Sequence, residues 1–213
     1  MKIHAYQEIF INKAQSLLGD AFDYAINVCN ISGEDFIKMF VVSDVSKKIE
    51  NGDPSTILGK SGLDLLQDIV YQTTSNNLII QEVNHYSRSK QYWIGYSIAY
   101  YQWYSNRKFS QIFEVITYKQ LEHMYSSLHE ADISKFVDII DSKIQEYYPD
   151  TNLKRIRSNY GISQSELAKR SNVGLRSIQM YEQKNKDINK ASADTLYKIS
   201  KVLGCSIEDL LEK

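Results

Sequence analysis

The strongest chemical signal in the 213-residue chain lies between Leu175 and Glu182, where two kinds of side chain divide the surface of one short helix. With Leu175 as the origin of a 3.6-residue wheel, Arg176, Gln179 and Met180 fall at about 100°, 40° and 140°. Ile178 and Tyr181 fall at about 300° and 240°, roughly the opposite side. One side is suited to burial; the other projects a guanidinium, an amide and two apolar tips. A helix divided in this way suits the DNA major groove, which admits an α-helix and presents donors, acceptors and thymine methyls. The chemistry is recognition rather than bond making.

Two other stretches could do chemistry. His129, Glu130 and Asp132 in the HEAD segment are the best place to look for acid–base catalysis, but no activated nucleophile lies nearby in sequence. A histidine beside acids on a charged helix is usually solvated or paired. His123 and His129 are six apart and face different sides of a helix, unlike a two-histidine metal pair. The GKSG segment, Gly59 to Gly62, is a fragment of the phosphate-cradling P-loop. It has Pro54 where the motif needs its upstream glycine, and no buried parallel strand leads into it. A capped turn is the better reading. No catalytic residue, metal site or cofactor site is assigned.

The elements that must position the recognition helix are legible around it. Ser163 is a candidate N-cap, and Glu166 stands at the capping-box position. Leu167 and Ala168 then face inward, Asn172 to Gly174 form a turn, and the second helix runs from Leu175 to about Lys184. This is a helix-turn-helix. Before it, a helix from about Asn152 to Tyr160 turns Leu153 and Ile156 inward and stops at Gly161 as its C′ residue. After it, Ser192 caps a helix from Ala193 to Leu203 that stops at Gly204. Ser206, with Asp209 at the capping-box position, opens a last helix burying Leu210 and Leu211.

With LKRIRSNYGISQSELAKRS, SIQMYEQ, TLYKISKVLG and SIEDLLE in place, residues 153–212 resemble the lambda-repressor-like, Cro-type helix-turn-helix family over its five-helix length. The resemblance implies that Leu175, Arg176, Gln179 and Met180 face base edges. Arg176 is then the candidate for a bidentate contact to guanine, Gln179 for adenine and Leu175 for a thymine methyl. Gln164 braces against the DNA backbone, and with Ser177, Lys184, Lys186 and Lys190 it is expected to meet phosphates, which position the helix without specifying sequence. Arg157 and Glu182 correspond to the family's buried ion pair. Two positions depart from the pattern. Gly174 stands where Ser or Thr often precedes the recognition helix, and Lys184 where Gly often follows it, which makes Asn185 the candidate for a left-handed residue.

Charge agrees with this division. Residues 151–213 hold 12 Lys+Arg against 7 Asp+Glu, a net of +5, whereas residues 1–150 hold 13 against 19, a net of −6. A basic small domain beside an acidic larger one fits a C-terminal end that meets phosphate. Two well-separated cysteines, Cys29 and Cys205, suggest neither a disulfide framework nor a zinc knuckle and fit a reducing cytosol. No apolar run approaches the ~20 residues of a membrane span, and no leader opens the chain.

The first 150 residues read as a helical bundle. Apolar positions from residue 5 to about 29 (Ile9, Phe10, Ala14, Leu17, Leu18, Ala21, Phe22, Ala25, Ile26) form a helical stripe. Pro54, Gly52, Gly59 and Gly62 are expected to break helix, and Ser61 then precedes a helix with Leu65, Ile69 and Val70 inward. Residues 76–83 read as a short strand or a helix edge. In KQYWIGYSIAYYQWYS, Gly95 and Ala99 leave a groove for another helix, and the interleaved aromatics read as core rather than a stacking platform. Residues 118–148 form one helix, or two broken near HEAD, and Pro149 marks a boundary. SGLDLL and YWIGYSIAYYQWYS also resemble a region of helix-turn-helix proteins encoded beside small toxin genes, which implies an antitoxin that also regulates transcription.

The expectation is thus an all-α protein: a helical partner-binding or oligomerisation domain over 1–150 and a five-helix DNA-binding domain over 151–213. It would be a cytoplasmic, autoregulating dimeric repressor on double-stranded operator DNA, and a candidate antitoxin. The alternative is an antitoxin whose N-terminal bundle neutralises a cognate toxin protein, with DNA binding secondary.

Overall fold

The computed structural model describes residues 4–78, 88–148 and 150–212. It is all-α: among the described residues, helices and turns are the only regular structure. The chain divides into two compact units, Met1–Ile144 and Gln145–Lys213. Most of the predicted strand-or-helix-edge segment, residues 79–83, and the boundary residue Pro149 lie outside the described residues.

In the first unit a 3₁₀ turn, Glu8–Phe10, leads into α1 (Ile11–Asp23), which continues as a π-helical turn over Tyr24–Val28. Then come α2 (Gly33–Val42), α3 (Asp44–Glu50), α4 (Pro54–Ile57) and α5 (Gly62–Thr74). They are followed by α6 (Lys90–Ser105), α7 (Phe109–Val115), α8 (Tyr118–Leu128) and α9 (Ile133–Tyr147). The stripe expected over residues 5–29 is therefore three helical types in succession. Ala14, Leu17, Leu18, Ala21, Phe22 and Ala25 are buried, whereas Ile9 is 77 % exposed.

Burial on α1 is directed at α6, and glycine on each helix sets how close the two come. A Cβ at Gly95 would lie 2.4 Å from the Leu18 carbonyl oxygen, and one at Gly19 would lie 2.9 Å from the Tyr92 ring. The groove around Gly95 is filled by the backbone of α1. Aromatic rings fill the space beyond: Phe22 meets Phe36 edge-on at 4.9 Å, and Phe40 meets Phe109 at 4.7 Å. Each such side chain contributes about 1.5–3 kcal/mol when fully buried. Tyr101, fully buried on α6, donates its hydroxyl to Asp141 Oδ1 at 2.6 Å. Burial, then the adjacent Asp141 carboxylate, push its phenol well above the ordinary tyrosine range.

Two expected helix breakers begin helices instead. Pro54 is the first residue of α4, where a missing N–H costs nothing, and the Asp53 side chain accepts from Thr56 N. Gly62 opens α5 behind a full capping box made by Ser61 and Asp64. Lys60 of the GKSG segment pairs with Asp68. The segment from 118 onward is two helices, with the break at His129 to Asp132.

The second unit comprises α10 (Asn152–Tyr160), α11 (Gln164–Ser171), α12 (Leu175–Glu182), a 3₁₀ turn (Ile188–Lys190), α13 (Ala193–Leu203) and α14 (Ile207–Leu210). Leu153, Leu167, Ile178, Tyr181, Ile188, Leu196, Ile199, Leu203 and Leu210 form one core, with Ala168 and Leu211 only partly buried against it. The start and end of the unit are joined by hydrogen bonds. The Asn152 side chain donates to the Leu211 carbonyl at 2.6 Å, and its backbone N–H donates to Glu212 Oε1 at 2.7 Å.

The seam between α1 and α6 gives a direct test. Gly95→Val is expected to destabilise the first unit by about 1–3 kcal/mol, since the added atoms meet rigid backbone. Thermal denaturation of the full chain followed by circular dichroism checks this; an unchanged first-unit transition would show that the two backbones are not in contact.

Candidate nucleic-acid interface

The turn between α11 and α12 is built from local chemistry. Ser163 Oγ accepts from Glu166 N at 3.1 Å, starting α11. The expected reciprocal half of that capping box is not made. Glu166 instead accepts from Arg170 Nε at 2.7 Å, one turn on, an i,i+4 pair that competes for the same carboxylate. Asn172, at φ 52°, ends α11, and Gly174 opens α12 with its carbonyl but no side-chain cap. The rigid part lies beneath the turn: Leu167 and Ile178 are fully buried and Tyr181 nearly so.

An ionic network fixes the two helices to α10. Arg157 Nε and Nη2 donate to Glu182 Oε1 and Oε2 at 2.6 and 2.9 Å, a bidentate pair. Arg157 Nη1 donates to the Ile162 carbonyl at 2.7 Å, and Gln164 Nε2 donates to Glu182 Oε2 at 2.7 Å. The Glu182 side chain is 1 % exposed and that of Arg157 12 %. Hydrogen bonding to Glu182 pushes the Arg157 guanidinium above its usual value, although burial opposes the shift. A charge pair this enclosed contributes little net stability, but removing one partner leaves the other buried and unpaired.

The end of α12 departs from expectation. The helix stops at Glu182 rather than near Lys184, and the left-handed residue is Lys184 at φ 59°, not Asn185. The reason is a Schellman arrangement. Lys184 N donates to the Tyr181 carbonyl at 3.1 Å and Asn185 N to the Met180 carbonyl at 2.9 Å, a pattern that requires the first residue past the C-cap Gln183, which is Lys184, to be left-handed.

On the outer side of α12, Leu175 is 38 % exposed, Arg176 is exposed, and Ser177, Gln179 and Met180 are half-buried. Lys184, Lys186 and Lys190 are exposed. Lys186 Nζ stands 5.1 Å from the Tyr181 ring centroid, and Lys190 Nζ lies 3.6 Å from Asp187 Oδ2. Gln164 is half-buried with its amide turned to Glu182. The structure thus joins Arg157, Gln164 and Glu182 in one network and leaves Arg176 projecting. Sequence reasoning missed the tie from Asn152 to Glu212 and the pairing of Asn189 with Glu212 (2.6 and 2.9 Å). No local pattern links residues so far apart.

The other sequence-level candidate is differently placed. His129 Nδ1 lies 2.8 Å from the Tyr125 carbonyl, and its Nε2 lies 3.7 Å from the exposed Glu130 carboxylate. Asp132 accepts from Ser134 N at 2.9 Å. Among the described residues, no group of three His, Cys, Asp or Glu side chains is arranged to hold a metal ion.

Residues 153–210 match a family model described as Helix-turn-helix, of the lambda-repressor/Cro-like type. That segment is therefore a DNA-binding regulatory domain, which supports a transcription regulator. Comparison with curated proteins and with solved structures gave no match.

Two substitutions test the geometry under α12. Arg157→Met is expected to destabilise the second unit by about 3–5 kcal/mol, because it leaves Glu182 buried without a partner. Lys184→Gly is expected to stabilise it by about 1 kcal/mol, since glycine adopts the left-handed conformation without a Cβ penalty. Urea denaturation of the full chain measures both. A neutral Arg157→Met or a destabilising Lys184→Gly would contradict the assigned network and cap.

Proposed function

We propose that the chain is a sequence-specific transcription regulator that binds double-stranded operator DNA as a homodimer and represses its own promoter in the cytoplasm. The observation that carries this reading is α12 itself: a helix-turn-helix second helix locked from beneath by Ile178, Tyr181 and Glu182, with Arg176 and Leu175 projecting on the other side. In a major groove Arg176 would pair with the O6 and N7 of guanine, Gln179 would read adenine, and Leu175 and Met180 would make apolar contacts. Gln164, Ser177, Lys184, Lys186 and Lys190 would meet phosphates. Gln164 keeps a second amide hydrogen for that contact after its bond to Glu182. A dimer would span half-sites about 34–36 Å apart or a multiple of that.

A second reading rests on a different observation. Ile9, Val42, Leu58 and Tyr71 of the first unit are large apolar side chains left exposed. They suit a protein partner, and in that role the chain would be an antitoxin whose N-terminal unit neutralises a toxin, with DNA binding secondary. Purification of the chain from its native operon without a second protein would remove this reading.

Arg176→Ala in the full chain is expected to cost about 1–3 kcal/mol on the operator and relax specificity at the contacted base pair. Lys184→Ala is expected to weaken all sequences alike and to reduce the slope of log K against log salt by about 1. Fluorescence-anisotropy titrations on operator and scrambled duplexes across a salt series separate the two. Unchanged operator binding by Arg176→Ala would overturn the groove assignment.

A further inference from the structure

A cavity of about 340 Å³ opens in the first unit between the start of α6 and the junction of α8 with α9. Its volume is at the small end of the roughly 300–1,000 Å³ range of ligand pockets. Tyr92, Trp93 and Tyr96 of α6 and Tyr125 of α8 form aromatic walls. Tyr92 and Tyr96 lie 5.9 Å apart with an interplanar angle of 27°, and Trp93 meets Tyr125 at 5.6 Å and 74°. Among the described residues the polar lining is Arg88, Ser89 and His129, with no Asp or Glu.

These polar groups are held in place from outside the cavity. Ser89 donates its hydroxyl to the buried Asp23 carboxylate and accepts from Tyr92 N at 3.0 Å, capping α6. His129, which also lines the cavity, stacks on Tyr125 at 4.5 Å with Nδ1 at the Tyr125 carbonyl and Nε2 3.7 Å from the solvent-exposed Glu130 carboxylate. The Arg88 guanidinium lies 5.0 Å from the Tyr92 ring centroid and, among the described residues, makes no ion pair. A cationic ligand would have to displace that guanidinium from the ring face. An anion would complete it, because a guanidinium held against an aromatic face keeps its edge free for a carboxylate fork.

The geometry points to a binding site for a small planar aromatic carboxylate, its ring between the walls of Tyr96, Trp93 and Tyr125 and its carboxylate at Arg88, with His129 as a second polar contact. The inference is independent of the DNA-binding reading, and it gives the His129 segment a role in binding rather than in acid–base chemistry.

Isothermal titration of the full chain with three compounds sharing one ring tests it: 4-hydroxyphenylacetate, the cationic tyramine and the neutral 4-ethylphenol. The acid is expected to bind at least about tenfold more tightly than either of the others, the worth of roughly one charge-assisted hydrogen bond. Arg88→Gln is expected to remove that advantage and Arg88→Lys to restore part of it. Arg88 is exposed, so both variants should keep the wild-type circular dichroism and melting temperature. Tyr125→Ala is expected to abolish binding of all three. No binding of the acid in the millimolar range, equal or tighter binding of tyramine, or full affinity in a folded Arg88→Gln would each overturn the proposal.

Discussion

The geometry of the second unit depends on one interaction, the enclosed pair of Arg157 with Glu182. An eight-residue helix such as α12 has no stability of its own in water, because nucleation costs more than so few hydrogen bonds return. Apolar burial of Ile178 and Tyr181 holds it down but would tolerate small rotations about its axis. The bidentate pair tolerates much less. It fixes the last turn of α12 to α10, and through Gln164 and the Ile162 carbonyl it also fixes the first turn of α11 and the loop before it. What such a pair supplies is orientation rather than net stability. Orientation is what a helix needs if its side chains are to reach fixed positions on another molecule.

The first unit is organised by another constraint. Its α1 and α6 meet where glycines remove side chains, so distance is set by backbone contact and directional polar bonds are peripheral. Two part-buried polar bonds, Tyr101 to Asp141 and the Trp103 indole to the Tyr6 carbonyl at 2.8 Å, tie the far half of α6 to α9 and to the N-terminal segment. The opposite end of the same helix is more open, and the aromatic cavity lies there. One tyrosine-rich helix thus serves as packed core along most of its length and as a wall at its first turns.

Much of this was legible in the sequence where the cause is local. Ser192, Gly204, Ser206 and Asp209 mark the bounds of α13 and α14 because caps and stops act within a turn of where they stand. Reading failed where two partners compete or where position reverses a residue's usual effect. Glu166 has both Ser163 and Arg170 in reach, and the sequence does not rank them. Pro54 and Gly62 break helices in the interior but are tolerated at the first position. Lys184 takes a conformation that its type disfavours, because the hydrogen bonds of a Schellman end place the demand one residue earlier than Asn185. The cavity was illegible for another reason: its walls come from residues 88–96 and 125–133, and only the fold brings those together.

The contact between α1 and α6 also has a consequence in time. Leu18 and Gly95 touch, yet 77 positions separate them, so the side of α1 that packs on α6 has no cover until most of the first unit has been made. At about 5–20 residues per second, synthesis from the end of α1 to the end of α6 takes roughly 4–16 s. Over that interval the Leu18 face of α1, fully buried in the finished unit, is open to the solvent or to whatever chaperone meets the emerging chain. The seam that gives the finished unit its close packing is thus its most vulnerable surface while the chain is growing.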